Sequence, residues 1–445
     1  MRLSVIATDY DGTVATDGIL HQDAKIAIQA ARQRGVMVVI VTGRILSELR
    51  DVAGCLDFVD GVVAENGAVI SLTSGHTMHL GAPPPLSLIT ALTERGIEFK
   101  VGQCVIELDA SFADVAISLI REQELPLSVT FNRQRMMLLP ASISKSSGLR
   151  ALLDALGVST HNALGIGDAE NDHELLRSCE YSVAVEWGSK RLRESADEVL
   201  TGTGPAAVAG FIDKVSQQIR LPLEDRGHHK VTLEAVEGQP PMEMVIRGRN
   251  VLIAGDTQSG KSWMAGLLME QMIFQGYTVY AFDPEGDYQS LGSLPNTVVL
   301  GGGRLLPWAE DLEMFLHQGI SVVLDLSHLS HTEKTSYIRR HLPLVAEYRR
   351  KRGYPHRILL DESHYFLNGE NDANLLDLEL GAYTLVTWRP SELSPWVCKS
   401  IDIIVATRLA EKDEVDAVAR FRGDDTDPSQ WYEPLANLGI NEAAL

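Results

Sequence analysis

The chain has 445 residues, of which 45% are hydrophobic and 22% are charged, and its formal net charge is −21. This composition excludes a disordered chain, and the length corresponds to about three domains of ~150 residues each. The negative charge repels free nucleic acid, so nucleic-acid binding is not indicated unless a basic stripe provides it. One such run is "YRRKRGYPHR" (348–357), although a run of this kind is more often a solvated helix end.

The cysteine pattern argues against a zinc site or a disulfide framework. The four cysteines are far apart and form no CxxC pair, which suits a reducing compartment. The first apolar run, "LSVIAT", is too short for a signal peptide, and no stretch approaches the ~18 apolar residues of a membrane span. We therefore expect a soluble, cytoplasmic protein with no membrane partner.

Short β-rich runs alternate with helical patterns along almost the whole chain, which predicts an α/β protein with parallel sheets flanked by helices. Turns such as "SLTSGHT" and "GAPPPL" interrupt this alternation and indicate an inserted smaller α/β domain. A charged stretch with Pro and Gly and without apolar periodicity indicates a linker. The predicted organisation is a first core formed by 1–72 and 140–219, an insertion at 73–139, a linker at 220–240 and a second α/β domain at 241–445.

The segment "ATDYDGTVA" places two carboxylates, Asp9 and Asp11, directly after a predicted strand. At the carboxyl end of a parallel strand they would project into the crevice where α/β proteins bind ligands. One carboxylate can attack phosphorus while its neighbour exchanges a proton with the leaving group. Gly12 permits a sharp turn that brings backbone N–H groups towards a phosphate.

Three further segments supply the remaining parts of a phosphoryl-transfer site. "VIVTGR" ends a second strand with Thr42, whose hydroxyl can hold a phosphate oxygen. "SISKSSGL" offers Lys145, which can neutralise charge on the nucleophile and the phosphate. "GIGDAENDHEL" follows a strand with Asp168, Asn171 and Asp172, which are hard oxygen ligands suited to Mg²⁺.

These segments resemble the four motifs of the haloacid dehalogenase-like phosphatases over roughly residues 1–215. The "AENGA" at 64–68 and the position of the insertion are similar to the Cof-type subgroup, in which a large α/β cap is inserted into a Rossmann-like core. The resemblance implies that Asp9 forms an aspartyl-phosphate and that Asp11 is the general acid and base. It implies phosphate binding by Thr42, Gly43, Lys145 and Asn171, and Mg²⁺ binding by Asp9, the Asp11 carbonyl, Asp168 and Asp172. The cap sets the substrate, a phosphorylated small molecule or nucleotide, and residues 70–140 do not identify it.

The second domain contains "GDTQSGKS" (255–262), which matches the phosphate-loop pattern GxxxxGK[ST]. It follows the apolar strand "NVLIAG" and opens a helix, the context that this motif requires. Backbone N–H groups would hold phosphates, Lys261 would reach the β- and γ-phosphates, and Ser262 would bind Mg²⁺. The predicted ATP-binding residues are Gly255, Asp256, Thr257, Gln258, Ser259, Gly260, Lys261 and Ser262.

"HRILLDESHYFL" (356–367) has the Walker B arrangement, in which four apolar residues precede two carboxylates. Asp361 would support Mg²⁺, and Glu362 would polarise the attacking water. The alternative interpretation is a buried strand followed by a helix cap.

Three further segments, "VYAFDPEGDY" (279–288), "TLVTWRPSELS" (384–394) and "IDIIVATRLAEKDEV" (401–415), resemble elements of the HerA/FtsK ring-forming translocases over about 240–445. The resemblance implies a RecA-like ATPase domain, a homo-oligomeric and most commonly hexameric ring, and ATP bound between subunits. It also implies that an arginine of one subunit completes the neighbour's site. Arg408 and Arg389 are the candidates, with an ordinary salt bridge as the alternative for each.

Two features depart from that group. Trp388 stands where the group usually has Gln, and indole cannot hydrogen-bond a γ-phosphate as an amide does. The group's amino-terminal barrel is absent or reduced to the stretch "KVTLEAVEGQPPMEMVIRG". We expect ATP binding to persist, whereas ATP turnover and DNA movement stay open.

The sequence therefore predicts an enzyme: a Mg²⁺-dependent phosphomonoester hydrolase fused to an ATP-binding domain that assembles a ring and regulates the hydrolase. The first alternative is a nucleic-acid translocase or antiviral defence ATPase whose amino-terminal domain processes nucleic-acid ends or nucleotides. DNA-stimulated ATP hydrolysis would distinguish it. The second alternative is a scaffold that binds ATP only to hold the ring together, for which Glu362→Gln would change neither assembly nor phosphatase activity.

Overall fold

The structure is a computed structural model, and it describes residues 2–132, 134–218, 220–221, 229–234, 240–308, 311–317, 319–421, 427–440 and 442–445. Most of the predicted linker 220–240 lies outside the described residues. The chain forms two compact units, Arg2–His228 and His229–Leu445, each with its own apolar core. Among the helices described, none is long and apolar enough to cross a membrane.

The amino-terminal unit alternates strands and helices, as the pattern predicts. Its strands are β1 (Val5–Thr8), β2 (Ala15–Thr16), β3 (Ile19–Leu20), β4 (Met37–Val41), β5 (Gly61–Ala64), β6 (Val69–Leu72), β7 (Thr77–His79), β8 (Phe99–Val101), β9 (Ile106–Asp109), β10 (Leu127–Asn132), β11 (Arg135–Pro140), β12 (Ala163–Gly167), β13 (Tyr181–Val185) and β14 (Glu198–Leu200). Its helices are α1 (Gln22–Gln33), α2 (Leu46–Ala53), α3 (Leu86–Glu94), α4 (Ala113–Glu122), α5 (Lys145–Leu156), α6 (His173–Ser178), α7 (Lys190–Ser195) and α8 (Gly204–Ser216).

The main sheet of this unit has the strand order β14-β13-β12-β1-β4-β5-β6-β7. Strands from β14 to β5 pair in parallel, and β6 and β7 are antiparallel additions at one edge. The central strands β1 and β12 are buried along their whole length, because helices cover both faces of a sheet of this kind. The predicted α/β class is confirmed, and the topology brings the ends of β12, β1 and β4 together.

A second, antiparallel sheet with the order β10-β11-β9-β8 forms the inserted domain, here called the cap. Helices α3 and α4 pack on it through an apolar cluster that includes Leu88, Leu119 and Met136. Strand β7 falls within the range 73–139 suggested for the insertion, yet it pairs with β6 in the main sheet. The cap elements therefore run from α3 to β11.

The carboxy-terminal unit also alternates strands and helices. Its strands are β15 (Val231–Leu233), β16 (Met242–Met244), β17 (Val251–Ala254), β18 (Val279–Asp283), β19 (Thr297–Gly301), β20 (Ser321–Asp325), β21 (Arg357–Leu360), β22 (Tyr383–Thr387) and β23 (Ile403–Ala406). Its helices are α9 (Lys261–Phe274), α10 (Leu312–Phe315), α11 (His331–Arg352), α12 (Pro395–Cys398), α13 (Lys412–Arg420) and α14 (Ser429–Ala436).

Seven parallel strands form the sheet of this unit, in the order β19-β20-β18-β21-β22-β17-β23. Strand β22 lies between β17, which precedes the predicted phosphate loop, and β21, which precedes the predicted Walker B carboxylates. Residues that follow β22 are therefore placed between these two motifs. In the described part of the stretch that resembles a reduced barrel, only the two-stranded pair of β15 and β16 forms.

The basic run 348–357 is not an open basic stripe. Arg349 and Arg357 are buried, and Arg350 pairs with Asp377 at 2.7 Å. Arg357 donates hydrogen bonds to the Tyr383 carbonyl and to other backbone groups, so it ties strands together. The interpretation of this run as a solvated helix end is wrong for Arg349 and Arg357, which the fold buries, whereas Arg350, Lys351 and Arg352 are exposed at the end of α11.

Candidate functional sites

The acidic segments of the amino-terminal unit meet at the carboxyl end of its central strands. Asp9 directly follows β1, and Asp168 directly follows β12, which pairs in parallel with β1. Thr42 follows β4 on the other side of β1. Neighbouring parallel strands end at the same sheet edge, so these side chains converge there. All three residues are buried.

Lys145 joins this cluster from the first turn of α5. The helix begins with a capping box, in which the Ser144 hydroxyl accepts from the Ser147 N–H and the Ser147 hydroxyl interacts with the Ser144 backbone. Nζ of Lys145 lies 2.5 Å from Oδ1 of Asp9 and 2.6 Å from Oδ1 of Asp172. Burial alone lowers the pKa of Lys145, but the charges of Asp172 and Asp9 outweigh burial and raise the pKa. The lysine is therefore held as a cation.

Three carboxylates of the cluster are placed to share a cation. Asp9, Asp168 and Asp172 each offer an oxygen within 4.8 Å of the others. Oδ2 of Asp172 also accepts the backbone N–H groups of Asp168 and Ala169, at 3.0 and 2.9 Å. Burial raises the pKa of Asp9 well above its usual value, repulsion from Asp172 adds to the rise, and Lys145 opposes it. Hard carboxylate oxygens of this kind fit Mg²⁺, whose charge would relieve the same repulsion.

Two glycines allow the elements of this site to approach each other. Gly12 has a φ of +81°, and a Cβ there would lie 2.3 Å from Oδ2 of Asp168. Gly67 has a φ of +111°, and a Cβ there would lie 1.9 Å from the carbonyl oxygen of Ser144, the residue that caps α5. A larger side chain at either position would displace Asp168 or the first turn of α5.

The residues predicted to bind phosphate form the adjoining wall. Oγ1 of Thr42 accepts the Arg44 N–H at 3.1 Å, which leaves the hydroxyl hydrogen to donate to a phosphate oxygen. Nδ2 of Asn171 lies 3.9 Å from the Cβ position of Gly43, and Sδ of Met137 on cap strand β11 lies 3.6 Å from it. Oδ1 of Asn171 is buried and has no hydrogen-bond partner in the described chain. The structure thus brings Gly43 and Asn171 together and adds Met137, which the sequence did not indicate.

Asp11 has a different environment from that of Asp9. Its carboxylate is partly exposed and forms a bidentate pair with Arg44, with Nε to Oδ2 at 2.5 Å and Nη2 to Oδ1 at 2.7 Å. The guanidinium also lies 5.8 Å from the centroid of the Tyr10 ring. Sequence reasoning missed the contact of Arg44 with Asp11, and the position of Arg44 two residues after Thr42 was the one available signal.

Glu65 connects the main domain of this unit to the cap. Its carboxylate is fully buried and accepts the N–H groups of Gln103 and Cys104, at 2.9 and 2.8 Å, in the cap turn between β8 and β9. Lys100 on β8 and Glu48 on α2 form a second link, at 2.5 Å. The sequence marked the segment that contains Glu65 but not this contact, because the partner N–H groups belong to a loop without a motif.

The predicted phosphate loop joins β17 to α9. Gly260 has a φ of +96° at the start of the helix, and Nζ of Lys261 donates to the Asp256 carbonyl at 2.7 Å. The segment after β23 packs beneath the loop, where Oγ of Ser259 and Oγ1 of Thr407 lie 2.6 Å apart. Burial lowers the pKa of Lys261, whereas the charges of Glu362 and Asp361 raise it. The lysine therefore lies within the electrostatic reach of the Walker B pair.

The Walker B carboxylates follow β21 as predicted. Asp361 is buried, and its Oδ1 accepts the N–H of Glu362 at 2.8 Å. Burial raises the pKa of Asp361 from 3.8 to about 8, and repulsion from Glu362 adds to the rise. Burial also raises the pKa of Glu362, which has a φ of +46°. A divalent cation beside these carboxylates would offset the cost of burying them.

Trp388 follows β22 and therefore lies between the two motifs. Its ring packs edge-on against the ring of His364, with 5.6 Å between centroids. Nδ1 of His364 is 3.0 Å from Oγ1 of Thr387, and burial lowers the pKa of His364 to about 4. His364 is thus a neutral, buried link between the Walker B turn and β22.

The two candidate arginines differ in their local contacts. The guanidinium of Arg389 lies 4.1 Å from the Trp388 ring centroid, and its Nη1 is 3.5 Å from Oε1 of Glu392. The backbone carbonyl of Arg408 accepts the N–H of Asp256 at 2.8 Å, beside the phosphate loop of its own subunit. Both arginines remain candidates for a role in trans.

Comparisons with known proteins match both halves of the chain. Residues 6–82 and 87–212 match the haloacid dehalogenase-like hydrolase family, and residues 245–345 match the central domain of helicase HerA. The two resemblances predicted from the sequence are confirmed. The HerA match ends before Asp361, so it covers the phosphate loop but not the Walker B pair.

The relatives correspond to the amino-terminal half. A phosphoglycolate phosphatase of Methanothermobacter thermautotrophicus is 30% identical over an alignment of 215 positions, which covers 46% of this chain and 96% of that protein. A phosphoglycolate phosphatase of Methanosarcina acetivorans is 26% identical over an alignment of 225 positions, which covers 48% of this chain and 98% of that protein. A solved haloacid dehalogenase-like hydrolase from Bacteroides thetaiotaomicron is 16% identical, with a TM-score of 0.42, and covers 48% of this chain and 100% of that one.

Proposed function

The chain belongs, through its amino-terminal half, to the haloacid dehalogenase-like hydrolases, and from this membership we propose that this half is a Mg²⁺-dependent phosphomonoester hydrolase. The observation that carries the proposal is the placement of Lys145 between Asp9 and Asp172 at the ends of the central strands. A buried lysine that neutralises a carboxylate nucleophile and faces a phosphate pocket has the composition of a phosphoryl-transfer site.

In the first step, a carboxylate oxygen of Asp9 attacks phosphorus, and the bond from phosphorus to the alcohol oxygen breaks. Asp11 donates a proton to that oxygen, so the alcohol leaves neutral and an aspartyl-phosphate remains. In the second step, Asp11 takes a proton from water as the water oxygen attacks phosphorus. The bond to Asp9 then breaks, and phosphate leaves.

The other residues hold the phosphate during these steps. The Lys145 ammonium and the Thr42 hydroxyl donate to phosphate oxygens, and Asn171 borders the same pocket beside Gly43. Mg²⁺ would be held by Asp9, Asp168, Asp172 and the Asp11 carbonyl. When bound, Mg²⁺ supplies positive charge that allows a dianionic phosphate to approach the Asp9 carboxylate.

The substrate is a phosphorylated small molecule. The first compound to test is phosphoglycolate, because two relatives that cover nearly the whole amino-terminal half carry the name phosphoglycolate phosphatase. Met137 of the cap lies next to Gly43 and would contact the part of the substrate beyond its phosphate. Sugar phosphates and nucleotides are the next classes to test.

For the carboxy-terminal half, we propose an ATP-binding domain that assembles the chain into a homo-oligomeric ring, with a hexamer as the expected size. Lys261 and Ser262 would bind the phosphates and Mg²⁺, Asp361 would support Mg²⁺, and Glu362 would polarise water. Arg389 or Arg408 would complete a neighbour's site. The match to HerA and the electrostatic proximity of Lys261 to the Walker B pair support this proposal.

A specific observation favours a second candidate for this half, an ATP-dependent scaffold with little turnover. The position of the usual glutamine is filled by Trp388, whose ring contacts His364 and Arg389 rather than offering an amide. In that case ATP would hold the ring together, and Glu362→Gln would leave assembly unchanged.

The experiment that tests both halves measures phosphate release from phosphoglycolate, sugar phosphates, nucleotides and 3′- or 5′-phosphorylated oligonucleotides, with and without ATP. Wild type is compared with Asp9→Asn and Lys261→Ala. Loss of release from one substrate in Asp9→Asn alone supports the hydrolase and places substrate turnover entirely in the first half. A parallel loss in Lys261→Ala would show that ATP binding controls the hydrolase. Release that persists in Asp9→Asn would contradict the proposed nucleophile.

A further inference from the structure

An exposed tryptophan stands at the rim of the proposed nucleotide site. Trp263 is the third residue of α9, and its side chain is 60% exposed, whereas the neighbouring Lys261 and Met264 are buried. Among the described residues, Trp263 has no hydrogen-bond or ring partner. Single exposed aromatic residues are common, so the position of this one decides whether it has a role.

The position of Trp263 follows from the order of the phosphate contacts. In the proposed site, Lys261 reaches the β- and γ-phosphates and Ser262 holds the metal, and Trp263 is the next residue along α9. Ile440 borders the same end of the loop, because its carbonyl oxygen lies 2.7 Å from the Cβ position of Gly260. Its side chain is 65% exposed. The backbone of Ile440 thus lies at the start of α9, and Trp263 and Ile440 both have exposed apolar side chains.

We propose that Trp263 stacks on the nucleobase of the bound nucleoside triphosphate. The proposal rests on the proposed nucleotide site and adds its base-binding residue. A stacked indole contacts the face of the base and not its hydrogen-bonding edge. It should therefore raise the affinity for ATP and GTP above that for tripolyphosphate, without distinguishing adenine from guanine.

A competing role for this surface is contact with a second copy of the chain. Phe274, at the other end of α9, is 64% exposed. The two residues are 11 positions apart on a helix with ~3.6 residues per turn, so they lie on the same face about 16 Å from each other. Phe274 is too far from the loop to touch the base, and Phe274→Ala is therefore the matched control.

The experiment measures equilibrium binding of MgATP, MgGTP and magnesium tripolyphosphate to the full-length protein by calorimetry. The variants are Trp263→Ala, Trp263→Phe, Phe274→Ala and Lys261→Ala. Since stacking on an aromatic residue contributes to the affinity for a base, we expect Trp263→Ala to bind both nucleotides about tenfold more weakly, a change of about 1.4 kcal/mol. Its affinity for tripolyphosphate should equal that of wild type, and Trp263→Phe should keep most of the nucleotide affinity.

The possible outcomes distinguish failure of the stacking role from failure of the proposed nucleotide site. If wild type binds neither nucleotide nor tripolyphosphate, or if Lys261→Ala binds them as wild type does, the nucleotide site itself is wrong and the stacking role fails with it. If those two tests support the site but Trp263→Ala binds ATP like wild type, only the stacking role is overturned. The stacking role is also overturned if Trp263→Ala loses affinity for ATP and for tripolyphosphate equally, or if Phe274→Ala loses as much ATP affinity as Trp263→Ala. Either result would assign this surface to folding or to assembly.

Discussion

The two candidate sites are both built from buried carboxylates at the ends of parallel strands, but they differ in how the negative charge is balanced. In the amino-terminal unit, Lys145 lies 2.5 Å from Asp9 and 2.6 Å from Asp172. In the carboxy-terminal unit, burial and Glu362 raise the pKa of Asp361, and no cation is among the main influences on it. Lys261 instead donates to a backbone carbonyl of its own loop.

This difference indicates how far each site is organised before a ligand arrives. The first site carries its own countercharge, so the residues proposed as nucleophile and phosphate ligands are held in place by the fold. In the second, burial and repulsion from Glu362 favour the protonated form of Asp361, and a bound divalent cation would restore its charged form. We expect the first unit to depend little on nucleotide and the second to gain stability when Mg²⁺ and ATP bind.

The largest expected effect tests the self-sufficiency of the first site. Asp9→Asn removes the attacking oxygen anion, and loss of a covalent nucleophile lowers turnover by ~10³-fold or more. Phosphate release from phosphoglycolate is the measurement, and ATP affinity should not change. Asp51→Asn, at an exposed position on α2, is the control and should retain wild-type activity.

The second prediction concerns the separation of the two sites. Lys261→Ala removes the charge that would meet the β- and γ-phosphates, so ATP affinity should fall by about 100-fold. Phosphatase turnover without ATP should stay within about twofold of wild type if the sites are independent. Binding is measured by calorimetry, with Lys351→Ala, an exposed residue on α11, as the control. A large loss of turnover in Lys261→Ala would show that the amino-terminal site is not self-sufficient.

The third prediction tests how the acid and base of the first site is positioned. Arg44→Ala removes both hydrogen bonds to the Asp11 carboxylate, and the freed side chain should occupy its working position less often. We expect kcat to fall by ~10- to 100-fold with KM little changed. Arg34→Ala, which breaks an ion pair with Asp213 at the surface, should have no effect on kcat. A rise in KM without a change in kcat would assign Arg44 to substrate binding instead.

The smallest effect is a pH dependence of the second unit in the absence of metal. The pKa of Asp361 in the folded protein, about 8, lies above its ordinary value of 3.8. The folded protein therefore favours the protonated side chain of Asp361. The contribution of this group to stability is fully present below about pH 4 and is lost as the pH rises to about 8. In EDTA, the free energy of unfolding of wild type should therefore fall between pH 5 and pH 8. In Asp361→Asn this fall should be smaller by about 1–3 kcal/mol, because asparagine does not titrate.

Urea unfolding followed by tryptophan fluorescence measures this effect, because five of the six tryptophans lie in the carboxy-terminal unit. Asp413→Asn, at an exposed position on α13, should behave as wild type does. Identical pH profiles for wild type and Asp361→Asn would mean that the second site balances its charge without a ligand.

The sequence by itself determined the α/β class and the residues at the strand ends. Asp9, Thr42, Asp168 and Asp361 each directly follow an apolar strand, and parallel strands bring such positions to one edge of a sheet. A local pattern was enough here, because the link between a strand and the residue after it is local. The predicted roles of these residues and the domain boundaries stay predictions that await the experiments above.

Only the tertiary structure decided which side chains contact each other across long stretches of chain. The bidentate pair of Arg44 with Asp11 spans 33 positions, and the contact of Glu65 with Gln103 spans 38. Neither spacing is a repeat of a helix or a strand, so no periodicity could reveal it. The burial of Arg357 and the exposure of Trp263 follow the same rule, because the environment of a side chain depends on how separate elements pack and not on its neighbours in the sequence.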